Sequence, residues 1–383
     1  MGYAVVHGVN PYAPLGPVAG LTFANIYSPQ DSATVAYLPF WPLVTGLLYL
    51  VYMAVGFDNR FAYYFLLKQP IIAGDMFLAY LLYHYISSRT SRQGPSLWAA
   101  RFWALSPFTL ILSGIWGMFD SLSMCFILAS IMTSNYMKRS LWTGIGIFTK
   151  SLALIYAIPA TIRKTRTWWG LVVAVGLPAL ATILTLVGMG WSISTFTATL
   201  ASTVVKGGGS MSAWDAFYYM NYLRIIPVLP TELADILGFL WVPAIVVFTA
   251  LAFRKFGFET EYGLVQSMLV VTLVFLIFKA RVTEQYAIYL LVLAVMDVAL
   301  WNPKRKPLLT ATTATALFFL IVNNYFLIRF LSPVYPDYTK IEFGLSQIEP
   351  VRLALLFASG TVFTCLNISY LISIIKSGRG HAD

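Results

Sequence analysis

The run VVTLVFLIFKARVTEQYAIYLLVLAV, residues 270–295, reads as two apolar segments joined by a short charged connection. Extended outward, the segments cover 260–278 and 286–301, close to the roughly 20 residues a helix needs to cross a bilayer. Lys279, Arg281 and Glu284 interrupt them. A charge near the bilayer core costs at least a few kcal/mol, so it faces a partner, a cavity or a substrate. The same pattern recurs upstream. Lys68 and Asp75 lie in LLKQPIIAGDMFLAY, residues 66–80, and Asp120 ends FWALSPFTLILSGIWGMFD, residues 102–120.

Composition agrees with that reading. The 383 residues are 59% hydrophobic and 10% charged, with a mean hydropathy of +0.75. A soluble domain carries about 25% charged residues. An all-α, polytopic transmembrane bundle in a cell membrane is therefore expected. The 16% aromatic content and 11 Trp suit interfacial belts and stacking surfaces for rings. The net charge of +10 is assigned to cytoplasmic loops, which argues against nucleic acid as a partner. Cys125 and Cys365 have no spacing motif and read as buried thiols. With only His7, His84 and His381, no metal site and no cofactor are expected.

Apolar stretches fall at 37–56, 66–86, 97–116, 119–136, 141–162, 168–189, 236–253, 260–278, 286–301, 308–331 and 350–375, giving roughly ten or eleven hydrophobic segments. Basic clusters at Arg89/Arg92, Lys138/Arg139, Arg163/Lys164/Arg166, Arg254/Lys255, Lys304/Arg305/Lys306 and Lys376/Arg379 are assigned to the cytoplasm. The opposite side then holds 1–36, the tip Trp116–Asp120, loop 190–235, loop 279–285 and loop 332–349. Two stretches break the alternation. Segment 141–162 has basic clusters at both ends and so reads as a re-entrant hairpin or two half-helices, with Pro159 near the break. Segments 37–56 and 66–86 cannot both cross. One lies in the interface or is broken at Pro39, Pro42 or Pro70. Residues 1–36 contain no spanning helix. They read either as an exposed tail or as an ordered extracytoplasmic loop whose preceding helix is missing. The chain divides into this loop, a transmembrane module over 37–300 and C-terminal helices over 301–383.

A resemblance rests on six stretches that occur in order: GVNPYAP (8–14), YSPQDSATVAYLPFWPL (27–43), LKQPIIAGDMFLAYLLY (67–83), LSPFTLILSGIWGMFDSLSM (105–124), GIGIFTKSLALIYAIP (144–159) and KARVTEQYAIYLL (279–291). Over about residues 2–300 the chain resembles the GT-C superfamily of integral membrane glycosyltransferases. The closer likeness is to prokaryotic, in particular archaeal, relatives of the dolichyl-phosphate-sugar-dependent mannosyl- and glucosyltransferases. The resemblance implies a GT-C-like fold with an extracytoplasmic cavity. It also implies inverting hexose transfer, most simply of mannose, from a polyprenyl-phosphate donor to a lipid-linked glycan or protein acceptor among membrane lipids. The family's catalytic acid usually lies before the stretch matching Tyr3–Tyr12, and no residue here can be that acid.

Asp31 and Asp120 are the candidate catalytic carboxylates. Asp31 is the acid of the N-terminal loop, but an Asp after Pro29 also forms turns. Asp120 matches the family stretch W-G-x-x-D-S as WGMFDS, and it also suits a helix N-terminus. Lys279 and Arg281 oppose the positive-inside bias and suit a lipid phosphate, Arg as a fork and Lys as a point charge. Both residue types also snorkel to head groups in membranes. Glu284, Gln285 and Tyr286 orient these cations or read sugar hydroxyls, and Trp116 shapes the pocket beside Asp120. Lys206, in the glycine run KGGGS, sits in a loop that can close over substrate. Lys68, Asp75 and Lys150 read as a structural charge network near the site. Arg101 and Asp297 need no special role. Two other classes compete: a transporter or lipid flippase, which predicts internal repeats and mid-membrane charges, and an inactive glycosyltransferase-like partner subunit, which the absent early carboxylate favours.

Overall fold

The computed structural model describes residues 1–13, 37–56, 60–162, 168–205, 211–212, 239–280, 282–324, 340, 344 and 347–377. Among them the chain is helical throughout, with no strand. In order the helices are α1 Gly2–Val6, α2 Phe40–Val55, α3 Arg60–Ser87, α4 Gln93–Ala104, α5 Pro107–Thr109, α6 Asp120–Met132, α7 Tyr136–Thr149, α8 Ala157–Thr161, α9 Trp168–Gly188, α10 Ile193–Val205, α11 Trp241–Phe256, α12 Glu261–Phe278, α13 Ala287–Leu300, α14 Lys306–Asn323 and α15 Glu349–Lys376. A π-helix over Leu110–Trp116 continues α5, and a 3-10 turn over Ser151–Tyr156 precedes α8.

The two segments of the opening run form the centre of the bundle. Residues Gly263–Ile277 of α12 and Ala287–Val298 of α13 are buried on every face, as expected for helices that are apolar all round. The Thr260 side chain accepts from the Gly263 amide at 3.0 Å and starts α12, with Glu261 in the first turn where the helix dipole favours an acid. The peripheral helices leave large apolar side chains outside, such as Leu184 (62% exposed) and Trp169 (75%) on α9. Exposure on that scale suits hydrocarbon rather than water.

Among the described residues five helices are long and apolar enough to cross a membrane: Ala62–Ser87, Trp169–Gly188, Glu261–Phe278, Pro303–Asn323 and Glu349–Lys376. The other expected segments form shorter helices. Segment 97–116 is interrupted at Leu105–Ser106 between α4 and α5. Segments 119–136, 236–253 and 286–301 yield helices of 13, 16 and 14 residues. Segment 141–162 does form two half-helices, but the break falls at Lys150 and the 3-10 turn rather than at Pro159, which lies inside α8.

The basic clusters among the described residues meet at one end of the bundle. Arg89 and Tyr85 both donate to Glu261 Oε2, at 2.8 and 2.9 Å, tying the end of α3 to the start of α12. Lys255 donates to the Ile375 carbonyl near the end of α15. Arg305 bonds Ser373 and Ser377 there as well. The start of α9 joins the start of α7, where the Gly170 amide donates to the Tyr136 hydroxyl at 2.9 Å.

The opposite end carries the N-terminal residues. Tyr12 packs edge-on against Trp191 and Phe196, and its carbonyl accepts from Thr199 of α10 at 3.3 Å. Trp41 stacks on Phe119 at 4.3 Å between ring centroids. From there α2 runs beside the first half of α3. The Tyr63 hydroxyl donates to the Thr45 carbonyl at 3.3 Å, and the Tyr49 and Tyr52 rings pack on Tyr63. α2 therefore stays at this end, while the 28 residues of α3 extend about 42 Å toward Arg89. Neither segment 37–56 nor segment 66–86 is broken at a proline. Pro39 caps α2, Pro42 lies in its first turn, and α3 continues through Pro70.

Two sequence readings are corrected. Cys125 is buried, its thiol donating to the Gly74 carbonyl at 3.2 Å, but Cys365 is exposed on the outer face of α15. Asp297 has a role after all. It is wholly buried and accepts from Arg305 Nη1 at 2.7 Å, Gln266 at 2.6 Å, Asn302 at 2.7 Å and Tyr370 at 3.1 Å. It thereby locks α12, α13 and α15 together at the basic end.

Candidate functional site

The site is built where the chain changes direction at the end opposite the basic clusters. The wide turns of the π-helix close at Gly117, whose φ of 85° is one that a side chain rarely adopts. The Gly117 and Met118 amides both donate to the Leu112 carbonyl, at 3.0 and 3.1 Å. This tight closure delivers Phe119 and Asp120 to the start of α6. Asp120 is fully buried. α7 then returns from the basic end and stops at Lys150, whose extended backbone (φ −149°, ψ 122°) turns the chain back.

Lys150 joins three distant stretches. Its ammonium donates to Asp120 Oδ2 at 2.7 Å and to Gln285 Oε1 at 3.2 Å. It also lies over the Tyr37 ring at 5.0 Å and the Phe119 ring at 4.7 Å from their centroids. Lys150 is 4% exposed, so the pair interacts in a low-dielectric setting. Asp120 Oδ1 has no hydrogen-bond partner among the described residues. Tyr286 lies within electrostatic reach of both Lys150 and Asp120. Asp120 and Gln285, chosen from sequence as a catalytic and a substrate-binding candidate, are thus brought together. The link is Lys150, read from sequence as structural. Its one signal was a lone Lys after an apolar run in GIFTKS.

The connection between α12 and α13 carries the rest. Glu284 is fully buried and turns to α14 rather than to Lys150. Glu284 Oε1 accepts from Asn323 at 2.6 Å and from Asn324 at 2.8 Å. Burial pushes its carboxyl up to about 7, against those two amides, which favour the charged form. The ammonium of Lys279 sits over the Trp241 ring at 5.3 Å and is nearly buried. The Met211 amide donates to the Val282 carbonyl at 2.8 Å, so Met211 rests on this connection, while the stretch 190–235, expected as a loop, carries α10 over Ile193–Val205. Trp116 is half-buried against the main core, and the rings beside the Lys150 ammonium are those of Phe119 and Tyr37. Arg281, Asp31 and Lys206 lie outside the described residues.

Asp75 meets other helices, as its spacing from Lys68 suggested. Ser113 of the π-helix, Ser121 of α6 and the Trp103 indole of α4 all face its carboxylate, yet none closes a hydrogen bond of good geometry. Lys68 lies half-buried two turns away. Among the described residues no group of three or more His, Cys, Asp or Glu is placed to hold a metal ion.

The arrangement can hold an anion against cations, orient hydroxyls through Gln285 and present one carboxylate oxygen. A comparison with protein-family models finds no match, and neither does a comparison with curated proteins.

Proposed function

We propose that the chain is a multi-pass integral membrane glycosyltransferase of the GT-C type. It transfers a hexose, mannose in the first instance, from a polyprenyl-phosphate carrier to a lipid-linked glycan or protein acceptor. Transfer takes place at the end of the bundle away from the basic clusters, on the extracytoplasmic face if those clusters are cytoplasmic.

In the displacement, the acceptor oxygen attacks the anomeric carbon from the face opposite the phosphate. The bond from that carbon to the phosphate oxygen breaks, and the configuration inverts. The acceptor proton passes to a carboxylate, for which Asp120 and Asp31 are the candidates. The carrier leaves as polyprenyl phosphate, whose added negative charge Lys279 and Arg281 offset.

One observation supports this reading above the others: Lys150 gathers Asp120 and Gln285 into a single buried cluster at one end of the bundle. A path for a transported substrate calls instead for charges spread along the membrane depth.

The test is turnover of a radiolabelled polyprenyl-phosphate mannose by the protein in lipid vesicles. Arg281→Ala and Lys279→Ala are expected to lower donor use at least tenfold, roughly the 1.4 kcal/mol of one charge-assisted contact. Unchanged turnover in both variants would remove the phosphate-binding assignment.

A further inference from the structure

The basic end holds a cavity of about 320 Å³ between α11, α12 and α15. That size lies at the lower edge of ligand pockets, about 300–1,000 Å³. Phe248 and Leu251 form one apolar wall, and Val270 and Ile375 form the other. Arg254 and Lys255, consecutive at the end of α11, provide the cationic part of the lining. Leu251 and Ile375 are 49% and 44% exposed, so the groove opens on the outer apolar surface.

The chemistry selects an amphiphile. An apolar trough suits an acyl chain, and two adjacent cations suit a phosphate. Arg254 is exposed and offers the planar fork that matches phosphate oxygens. Lys255 is held over the groove by its hydrogen bond to the Ile375 carbonyl. No acid stands in the lining of the groove beside Arg254 and Lys255 among the described residues, and Glu261 at the start of α12 is engaged by Arg89 and Tyr85. Basic pockets between membrane helices on the cytoplasmic side take anionic head groups, and here that side is the one where the basic clusters meet.

We propose that this groove is a binding site for one anionic phospholipid. Its acyl chain lies along Phe248, Leu251 and Val270, with its phosphate at Arg254 and Lys255. The bound lipid fills the gap between α11 and the α12–α15 pair.

The experiment is native mass spectrometry of the full chain released from detergent, titrated with phosphatidylglycerol or phosphatidylcholine. The wild type is expected to retain one phosphatidylglycerol in clear preference to phosphatidylcholine. Arg254→Gln/Lys255→Gln is expected to weaken that binding roughly 30-fold, from about 1 kcal/mol for each cation removed. Leu251→Trp, which fills the trough and leaves the cations in place, is expected to weaken it as well. Arg92→Gln, in a different basic loop, serves as the control and is expected to bind like the wild type. Equal retention of the two lipids would overturn the proposal, as would wild-type binding by the double variant or an equal loss in Arg92→Gln. The outcome does not depend on whether the chain transfers sugar.

Discussion

Lys150, where α7 gives way to a 3-10 turn, donates to Asp120 Oδ2 at 2.7 Å across 30 residues of chain. Both side chains are buried, and the free oxygen of the carboxylate has no hydrogen-bond partner among the described residues. The pair fixes how α6 and α7 meet at the site end.

Removing one partner strands the other charge. Asp120→Asn or Lys150→Met alone is expected to destabilise the protein by about 3–5 kcal/mol. The double variant is expected to recover most of that loss, because two neutral side chains leave no buried charge. Unfolding in mixed micelles measures both. Additive losses in the double variant would mean that the two residues do not act as a pair.

Glu284 predicts a pH dependence with a definite sign. Its folded carboxyl titrates near 7, above its ordinary value. The folded state therefore binds the proton more tightly than the unfolded chain, and this residue favours folding most when protonated. Its contribution should fall as pH rises from about 5 through 7. Glu284→Gln, which keeps the neutral shape, should flatten that part of the stability profile. An identical slope in the variant would show that Glu284 is not its source.

The α7–α9 contact predicts a steric effect. A Cβ at Gly170 would lie 2.2 Å from the Tyr136 hydroxyl oxygen. Gly170→Ala is expected to cost about 1–3 kcal/mol through overpacking. Tyr136→Phe removes the nearest atom but leaves the ring carbon at 2.4 Å and Ser140 Oγ at 2.7 Å, and it takes the acceptor from the Gly170 amide, so adding it should return little of the loss. Thermal unfolding of the single and double variants reads the difference.

The two ends of the bundle predict opposite accessibility. In a Cys365→Ser background, His7→Cys is expected to react with an impermeant maleimide in intact cells. Lys304→Cys is expected to react only after permeabilisation. Both positions are exposed, so burial does not confuse the readout. Labelling of both from the same side would refute the topology.

Much of the fold was legible in composition and spacing. The opening run marked α12 and α13 as apolar segments, but not as the centre of the bundle, because hydrocarbon accepts an apolar face as readily as protein does and the equally apolar α9 lies at the periphery. The half-helix reading of 141–162 followed from basic clusters at both ends, but Pro159 drew attention from the true break. The break sits at Lys150 because that side chain is drawn to Asp120 and Gln285, a long-range contact that leaves no local trace. The same limit hid Asp297. An acid near the end of a span looks solvated until Arg305, eight residues on, and Tyr370, from another helix, close over it. Asp120 and Gln285 could be chosen separately from the sequence, but their meeting could not.

The most direct test of the central claim is transfer of labelled mannose from polyprenyl-phosphate mannose to a lipid-linked glycan acceptor by the protein in vesicles. The comparison is between wild type and Gln285→Leu, which takes one acceptor from Lys150 and keeps the Asp120 pair. The account predicts transfer by the wild type with inverted configuration, and a loss of at least tenfold in the variant with little change in stability. No transfer by the wild type, together with movement of the lipid donor from one leaflet to the other, would contradict it.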